Sequence, residues 1–126
     1  MNAYVGPQDA NGTPISPSWQ QFLKTSNFRN PATIFVTLDE HPDSINDGWY
    51  VISADPAQKW QWGDLPASYH NGACGFSFAD GHAEIKKWLS PDTKRPVLQN
   101  GSGFPVSIGT DKRDIVWINE RTSVRK

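Results

Sequence analysis

Apolar and polar residues alternate on both sides of the dipeptide Asp80-Gly81. A two-residue Asp-Gly loop between alternating runs is a strong signal for a β-hairpin. Counting outward from that turn pairs Phe78 with Ala83 and Phe76 with Ile85. The pattern therefore predicts a hairpin in which one face is core and the other is solvated. The predicted core face carries Cys74, Phe76, Phe78, Ala83 and Ile85, and the solvated face carries Ser77, Glu84 and Lys86.

Two earlier segments have the composition of β-strands. Residues 32–38 are β-branched and aromatic, and their nearly continuous hydrophobicity favours a central strand buried on both faces. Residues 49–53 form the second predicted strand. Because sequential strands are usually neighbours, we expect strands 32–38, 49–53 and 73–79 to alternate in direction.

Two segments have a helical pattern. Ser16-Pro17 is typical of a helix start, and Trp19, Phe22 and Leu23 then recur at helical spacing, which predicts a short helix over 17–24. Near the end of the chain, residues 111–121 are a second helix candidate, with Thr110 or Asp111 as the cap. The fold class predicted from these elements is α+β: a small antiparallel sheet of about four strands, a hairpin turn at 80–81 and short flanking helices.

The chain of 126 residues is 37% hydrophobic and contains ten glycines and ten prolines, which is typical of one small domain rich in turns. We expect a single domain over residues 1–126. Its first 15 residues are expected to form an irregular arm, because turn residues dominate there. The last residues, 119–126, are expected to form a mobile, basic tail.

Charge and hydropathy narrow the class of protein. The net charge of −1 produces no field that would favour nucleic acid as a partner. No apolar run approaches the ~20 residues that cross a bilayer, and no signal-peptide pattern opens the chain, so a soluble domain without a membrane segment is expected. Cys74 is the single cysteine, which excludes an intramolecular disulfide and a cysteine-based zinc site. Its place on the apolar face predicts a buried, inert thiol.

The acidic loop, residues 39–48, contains most of the candidate chemistry. Carboxylates packed this closely repel one another unless a cation or several hydrogen-bond donors intervene, so Ca²⁺ or another divalent cation is one hypothesis. An EF-hand is excluded because Ser44 stands where its loop needs glycine and Tyr50 where it needs glutamate. The other hypothesis is a turn in which Asp43 and Asn46 accept hydrogen bonds from local backbone amides.

Strand alternation decides which groups we expect near this loop. If the first and third strands run in the same direction, the acidic loop lies beside the hairpin turn and His70 lies at the opposite edge. The predicted metal ligands are then Asp43, Asp47, Asp80 and His82. A crossover in the long connection 54–72 would instead bring His70 to the loop, with the alternative ligands Glu40, His41 and His70.

Six tryptophans in a small chain suggest a second class of function, because indole rings stack on sugar rings. Trp60 and Trp62 point the same way if the chain is extended there, and they are the alternative sugar contacts for a polysaccharide. A glycoside hydrolase needs two carboxyl groups about 5–9 Å apart. In such an enzyme Asp39, Glu40 and Asp43 would be the candidate catalytic residues, although aromatics in small domains usually belong to the core.

The spacing of His70, nine residues and then Asp80-Gly81 resembles the H-X9-DG signature of prepilin-type processing-associated proteins, a group similar to the pseudopilins of type II secretion. Two further segments resemble that group, residues 38–48 and residues 114–118 with Arg121-Thr122. The resemblance spans roughly residues 1–10 and 30–122.

This resemblance implies a non-enzymatic structural or assembly component whose partners are other pilin-like subunits or a secretion assembly. It also implies a location in the cell envelope or outside the cell. Such proteins begin with a cleavable leader and a long apolar helix. We therefore expect this chain to correspond to the soluble part that follows that helix.

Overall fold

A computed structural model describes residues 1–58, 61–100 and 105–126. Five strands and one α-helix follow one another within these ranges. They are β1 (Phe35–Leu38), β2 (Gln61–Trp62), β3 (Ala73–Phe78), β4 (Ala83–Lys87), β5 (Val106–Ser107) and α1 (Arg113–Asn119). Two 3-10 turns, Thr25–Asn27 and Pro31–Thr33, precede β1.

The strands form two small antiparallel sheets. One contains three strands in the order β1-β3-β4, and β2 pairs with β5 in the other. The predicted small antiparallel sheet is thus present, but the strands divide three and two rather than forming one sheet of about four. Since α1 has seven residues and is the one α-helix among the described residues, the domain is mostly β.

The predicted hairpin is present, but its loop has three residues instead of two. Phe78 N donates to His82 O at 2.9 Å and Gly81 N donates to Phe78 O at 3.0 Å, so residues 79–81 form the loop. Gly81 has φ = 94°, the left-handed conformation that closes a three-residue loop of this kind. The extra loop residue shifts the strand register by one position.

That shift reverses the predicted faces of β4. Phe76 lies opposite Glu84, and Ile85 lies opposite Gly75. The prediction that Ile85 is buried beside Phe76 is therefore wrong: Ile85 is 83% exposed, whereas Phe76 and Phe78 are buried as expected. A slip of one residue moves every side chain of a strand to the other face, because the side-chain period is two.

β1 is an edge strand, so the prediction of a central strand buried on both faces is wrong. It pairs with β3 alone, and Val36 is an extra residue that bulges between the Phe35–Phe78 and Thr37–Ser77 pairs. The outer edge of β1 is covered by other parts of the chain. Asn2 N donates to Val36 O at 2.8 Å, and Phe35 N donates to Arg121 O at 3.0 Å.

Two other predicted elements do not form. Residues 17–24 are not helical, because Trp19 and Phe22 instead make isolated bridges to Arg125 and Val5. Residues 49–53 are not a strand, and only Tyr50 forms a bridge, with Asn2. The C-terminal helix is confirmed with narrower bounds, since α1 covers residues 113–119.

Two clusters of apolar side chains make up the core. The larger cluster surrounds Phe76, whose ring makes edge contacts with Phe35, Trp88 and Trp117 at centroid distances of 5.6, 5.9 and 5.1 Å. Its fully buried members include residues from both sheets and from α1. The smaller cluster is built from Tyr4, Phe22, Ile34 and Ala54.

Both chain ends pack against this core. Asn2 is fully buried, and its side-chain amide donates to Phe35 O at 2.8 Å and to Thr122 O at 3.0 Å. Thr122 and Ser123 are buried as well, and Lys126 N donates to Ser18 O. The segment predicted as a mobile tail is therefore packed, and the N-terminal arm ties the two ends to β1. No helix in the described ranges is long and apolar enough to cross a bilayer.

Candidate functional site

The acidic loop begins at Asp39, directly after β1, and lies beside residues 65–67. His41 N donates to Leu65 O at 2.8 Å, and Ala67 N donates to Asp39 O at 2.8 Å. Because β1 and β3 are antiparallel neighbours, the end of β1 lies beside the start of β3. Asp39 Oδ2 accordingly lies 3.7 Å from His70 Nε2.

The predicted position of the loop beside the hairpin turn is therefore wrong, and the crossover arrangement is the one formed. The hypothesis that His70 contacts the acidic loop is confirmed. Both partners are about half exposed, with side-chain exposures of 58% for His70 and 52% for Asp39. An ion pair so accessible to water contributes little to stability.

His41 and Asp43 hold the acidic loop against residues 95–100. Asp43 is buried and its carboxylate accepts from Leu98 N at 2.6 Å and Asn100 N at 3.0 Å. Asp43 N donates to His41 Nδ1, so the His41 proton sits on Nε2 and is directed at Arg95 O, 3.2 Å away. Asp43 thus accepts from backbone amides as expected, but these amides belong to the distant residues 98 and 100 and are not the local donors of the predicted turn.

Glu40 and Asp64 are two carboxyl groups that share a partly buried environment. Ser44 Oγ donates to Glu40 Oε1 at 3.0 Å, and Asp64 accepts from Val51 N. Burial, reinforced by the charge of Asp64, raises the pKa of Glu40 to about 7. Burial also raises the pKa of Asp64. The pair can therefore hold a proton near neutral pH, which is a property of many acid–base sites.

A buried hydroxyl lies close to the same carboxyl groups. Tyr50 is 1% exposed, and its hydroxyl has no hydrogen-bond partner among the described residues. Burial, followed by the negative charges of Asp64 and Glu40, raises the pKa of Tyr50. The phenol is therefore neutral at physiological pH.

The hairpin turn carries a second charged group. His82 Nδ1 lies 2.5 Å from Asp80 Oδ1, His82 Nε2 lies 3.1 Å from Glu84 Oε1, and the ring stacks on Phe78 at 4.4 Å. These two hydrogen bonds raise the pKa of His82, and the bond to His82 lowers the pKa of Asp80. The group is exposed and holds the turn together.

The four predicted metal ligands lie in three places. Asp80 and His82 are together at the hairpin turn, Asp43 is held by the amides of residues 98 and 100, and Asp47 accepts from Trp49 N at 2.6 Å. Within the described residues, no group of three or more His, Cys, Asp or Glu side chains is arranged to hold a metal ion. The three alternative ligands each contact a different partner. Glu40 accepts from Ser44 Oγ, His41 Nε2 lies 3.2 Å from Arg95 O, and His70 Nε2 lies 3.7 Å from Asp39 Oδ2.

The tryptophans mostly belong to the core. Trp62 is 1% exposed, so the prediction that it contacts sugar is wrong, and Trp60 lies outside the described residues. Trp88 is equally buried and donates from Nε1 to Ala67 O at 2.8 Å. Arg121 lies over the ring of Trp117, 4.2 Å from its centroid.

A cleft that the sequence did not indicate contains a different tryptophan, Trp19. The cleft has a volume of about 620 Å³, within the ~300–1,000 Å³ typical of ligand pockets. Its walls combine aromatic, apolar and polar side chains: Tyr4, Ile15, Ser16, Ser18, Trp19, Val51, Ile52, Ser53, Asp55, Pro56, Gln58 and Arg125. The residues come from four segments that are far apart in sequence, which is why no local motif predicted the cleft.

The three-stranded sheet has one face that no other described element covers. This open face is formed by Thr37, Gly75, Ser77, Ala83 and Ile85. The adjoining strand β4 is the last in the sheet order, so its outer edge has no neighbouring strand among the residues the structure describes. Sequence reasoning missed this surface because the assumed two-residue loop turned Ile85 inward.

No family model, curated protein or solved structure matches the chain.

Proposed function

We propose that this chain is a non-enzymatic component of a protein assembly, similar to the globular domain of a pseudopilin. The supporting observation is the asymmetry of the three-stranded sheet. Its β1 edge is covered by Asn2 and by Arg121, whereas the edge at β4 and the open face next to it are exposed. An exposed edge strand with a large apolar side chain is a ready template for contact with another chain.

The chemistry around the acidic loop fits the same proposal. Asp43 and His41 bond to backbone groups of residues 95–100, so both side chains organise a loop. The spacing from His70 to Asp80-Gly81 supports it independently, through the resemblance to the H-X9-DG group. In this structure the two ends of that spacing make separate contacts, His70 with Asp39 and Asp80 with His82.

Site-specific photocross-linking in the producing cell tests this function. A photoreactive phenylalanine derivative at position 85 should form adducts with pilin-like subunits or with components of a secretion assembly. The same substitution at Leu23, which is 49% exposed on another part of the surface, is the matched control and should form no such adducts. Adducts from position 85 that contain no pilin-like or secretion component would contradict the proposal.

Carbohydrate binding is a second candidate function, favoured by the cleft around Trp19. An indole beside hydroxyl, carboxylate and guanidinium groups is a combination suited to a sugar ring and its hydroxyls. Titration with oligosaccharides should then change tryptophan fluorescence, and Trp19→Ala should abolish binding. Trp117→Phe, outside the cleft, serves as the control. Saturable binding that survives Trp19→Ala would exclude the cleft as the site.

A further inference from the structure

We propose that two copies of this chain pair edge to edge through β4, in an antiparallel arrangement with its two-fold axis at Ile85. The inference rests on the proposed assembly function and names a partner for it, a second copy of the same chain. Joining the two sheets would give one six-stranded sheet in the order β1-β3-β4-β4-β3-β1.

The hydrogen-bond pattern of the hairpin determines which backbone groups are available. Phe78 N donates to His82 O and Trp88 N donates to Gly72 O, so even-numbered residues of β4 direct their backbone groups at β3. The N–H and C=O groups of Ala83, Ile85 and Lys87 therefore point outward, and Lys87 O also accepts from Lys86 Nζ at 3.0 Å. A two-fold at Ile85 pairs Ile85 with its copy, and pairs Ala83 with Lys87 of the second copy.

The side chains of β4 are complementary to themselves under this symmetry. Glu84 lies opposite Lys86 of the second copy on each side of the axis, so the strand positions that face each other carry opposite charges. Within its own copy Lys86 Nζ also lies 3.7 Å from Asp114 Oδ1, and Glu84 Oε1 lies 3.1 Å from His82 Nε2, so the attraction across the axis is added to these contacts. No two like charges lie directly opposite each other. Pairing β4 in the same way with its axis at Glu84 or Lys86 would place like charges face to face. An axis at Ile85 avoids this and also brings the two isoleucine side chains together, which an axis at Ala83 would not do.

The apolar contribution comes from Ile85. Its side chain is 83% exposed and stands on the open face, where its cross-strand neighbour is Gly75. The symmetric pairing brings two isoleucine side chains together and removes part of both from water. The net charge of −1 leaves little overall repulsion between two copies.

Sedimentation of the purified protein between about 1 µM and about 1 mM tests the pairing, because a contact of one strand is small and its affinity modest. We expect a monomer–dimer equilibrium with slowed amide hydrogen exchange at residues 83, 85 and 87 in the dimer. Ile85→Asp places two carboxylates on the axis and should raise the dissociation constant more than tenfold. Glu84→Lys should weaken the dimer as well, because it places a second ammonium group on the strand position opposite Lys86 and replaces an attraction with a repulsion.

Two control variants distinguish the loss of the β4 interface from general effects of a substitution on the protein. Ile85→Val keeps the strand and should retain the dimer, and Leu23→Asp adds a charge at another exposed apolar residue and should leave it intact. A protein that stays monomeric up to about 1 mM, or a dimer that persists in Ile85→Asp, overturns the proposal. The assay uses purified protein alone, so its failure leaves the cross-linking test of the assembly function standing.

Discussion

Gly75 lies directly opposite Ile85 in the β3–β4 hairpin, so the most exposed large apolar side chain among the residues the structure describes stands over a residue that has no side chain. The same register places Lys86 on the core side, 3.7 Å from Asp114 and over the rings of Trp88 and Trp117. Ile85 of the hairpin is therefore exposed, whereas the aliphatic part of Lys86 covers the edge of the hydrophobic core. Long charged side chains permit this because their apolar stem can be buried while the charged group stays near the surface.

The loop of the hairpin depends on one positive φ angle. An added Cβ at Gly81 meets no atom within 4 Å, so Gly81→Ala should cost only the backbone strain of φ = 94°, about 1–2 kcal/mol. Gly48 also has space for a Cβ and no positive φ, and Gly48→Ala should be neutral or stabilise by up to about 1 kcal/mol. Urea unfolding of both variants measures the difference, and equal effects would contradict this account of the turn.

The buried carboxylate of Asp114 joins α1 to the segment after β4. It accepts from Leu89 N, Ser90 N and Thr93 Oγ1 at 2.8–3.2 Å and is 1% exposed. Asp114→Ala leaves these donors and Lys86 without their acceptor, and we expect a loss of about 3–5 kcal/mol.

The control for this measurement is Asp111→Ala. Asp111 pairs with the exposed Arg113 at 2.7 Å on the surface. Its removal should leave the thermal unfolding midpoint almost unchanged, because exposed ion pairs are weak. A comparable loss in both variants would show that burial of Asp114 is not the cause.

The contacts of Asp43 predict how the acidic loop responds to metal ions. Because backbone amides of Leu98 and Asn100 satisfy its carboxylate, Asp43→Ala should destabilise by about 1–3 kcal/mol. Asp47→Ala, at an exposed turn, should cost less. The midpoint of the unaltered protein should be the same with Ca²⁺ and with chelator. A higher unfolding midpoint in the presence of Ca²⁺ would support the cation hypothesis, since a ligand at 100 times its dissociation constant stabilises the folded protein by about 2.7 kcal/mol.

The raised pKa of Glu40 predicts a pH dependence of stability. The folded protein binds this proton more tightly than the unfolded chain, where the pKa is 4.5. Its stabilising contribution is complete below pH 4.5 and is lost as the pH rises toward about 7. Glu40→Gln should flatten the stability profile in that window, and Glu120→Gln, at an exposed carboxyl, should not. An unchanged slope in Glu40→Gln would refute the assignment.

The single thiol should be protected in the native state. Cys74 is fully buried, and burial raises its pKa to about 12, so very little thiolate exists at neutral pH. Labelling by iodoacetamide should proceed at the rate of global unfolding. In the double variant Cys74→Ala with Ile85→Cys, the thiol lies on the open face and should react at once. Fast labelling of the native unaltered protein would show that the core around β3 opens locally.

Local chemistry determined the elements that the sequence predicted correctly. The alternation around Asp80-Gly81 produces a hairpin, since the turn tolerates positive φ and the β3 residues Phe76 and Phe78 need burial. The helix at the end of the chain follows from the spacing of Ile115 and Ile118, both fully buried. The burial of Cys74 follows from the same alternation.

Tertiary contacts decided what local chemistry leaves open. The dipeptide Asp-Gly is compatible with a two-residue loop and with a three-residue loop. The protein forms the longer loop, and the resulting register places Lys86 over the ring of Trp117 at the edge of the core. The helical spacing of Trp19 and Phe22 was overridden because these residues bridge to Arg125 and Val5, which no local pattern encodes.

The partner of the acidic loop was decided in the same way. A long connection between strands permits more than one strand order. The difference in free energy between these strand orders depends on contacts between side chains that are far apart in sequence. β1 pairs with β3, which sets Asp39 beside His70 and leaves the turn at Asp80 on its own. The sequence determined which residues could form strands and turns, and only packing between distant segments determined which of them meet, because burial is gained in three dimensions.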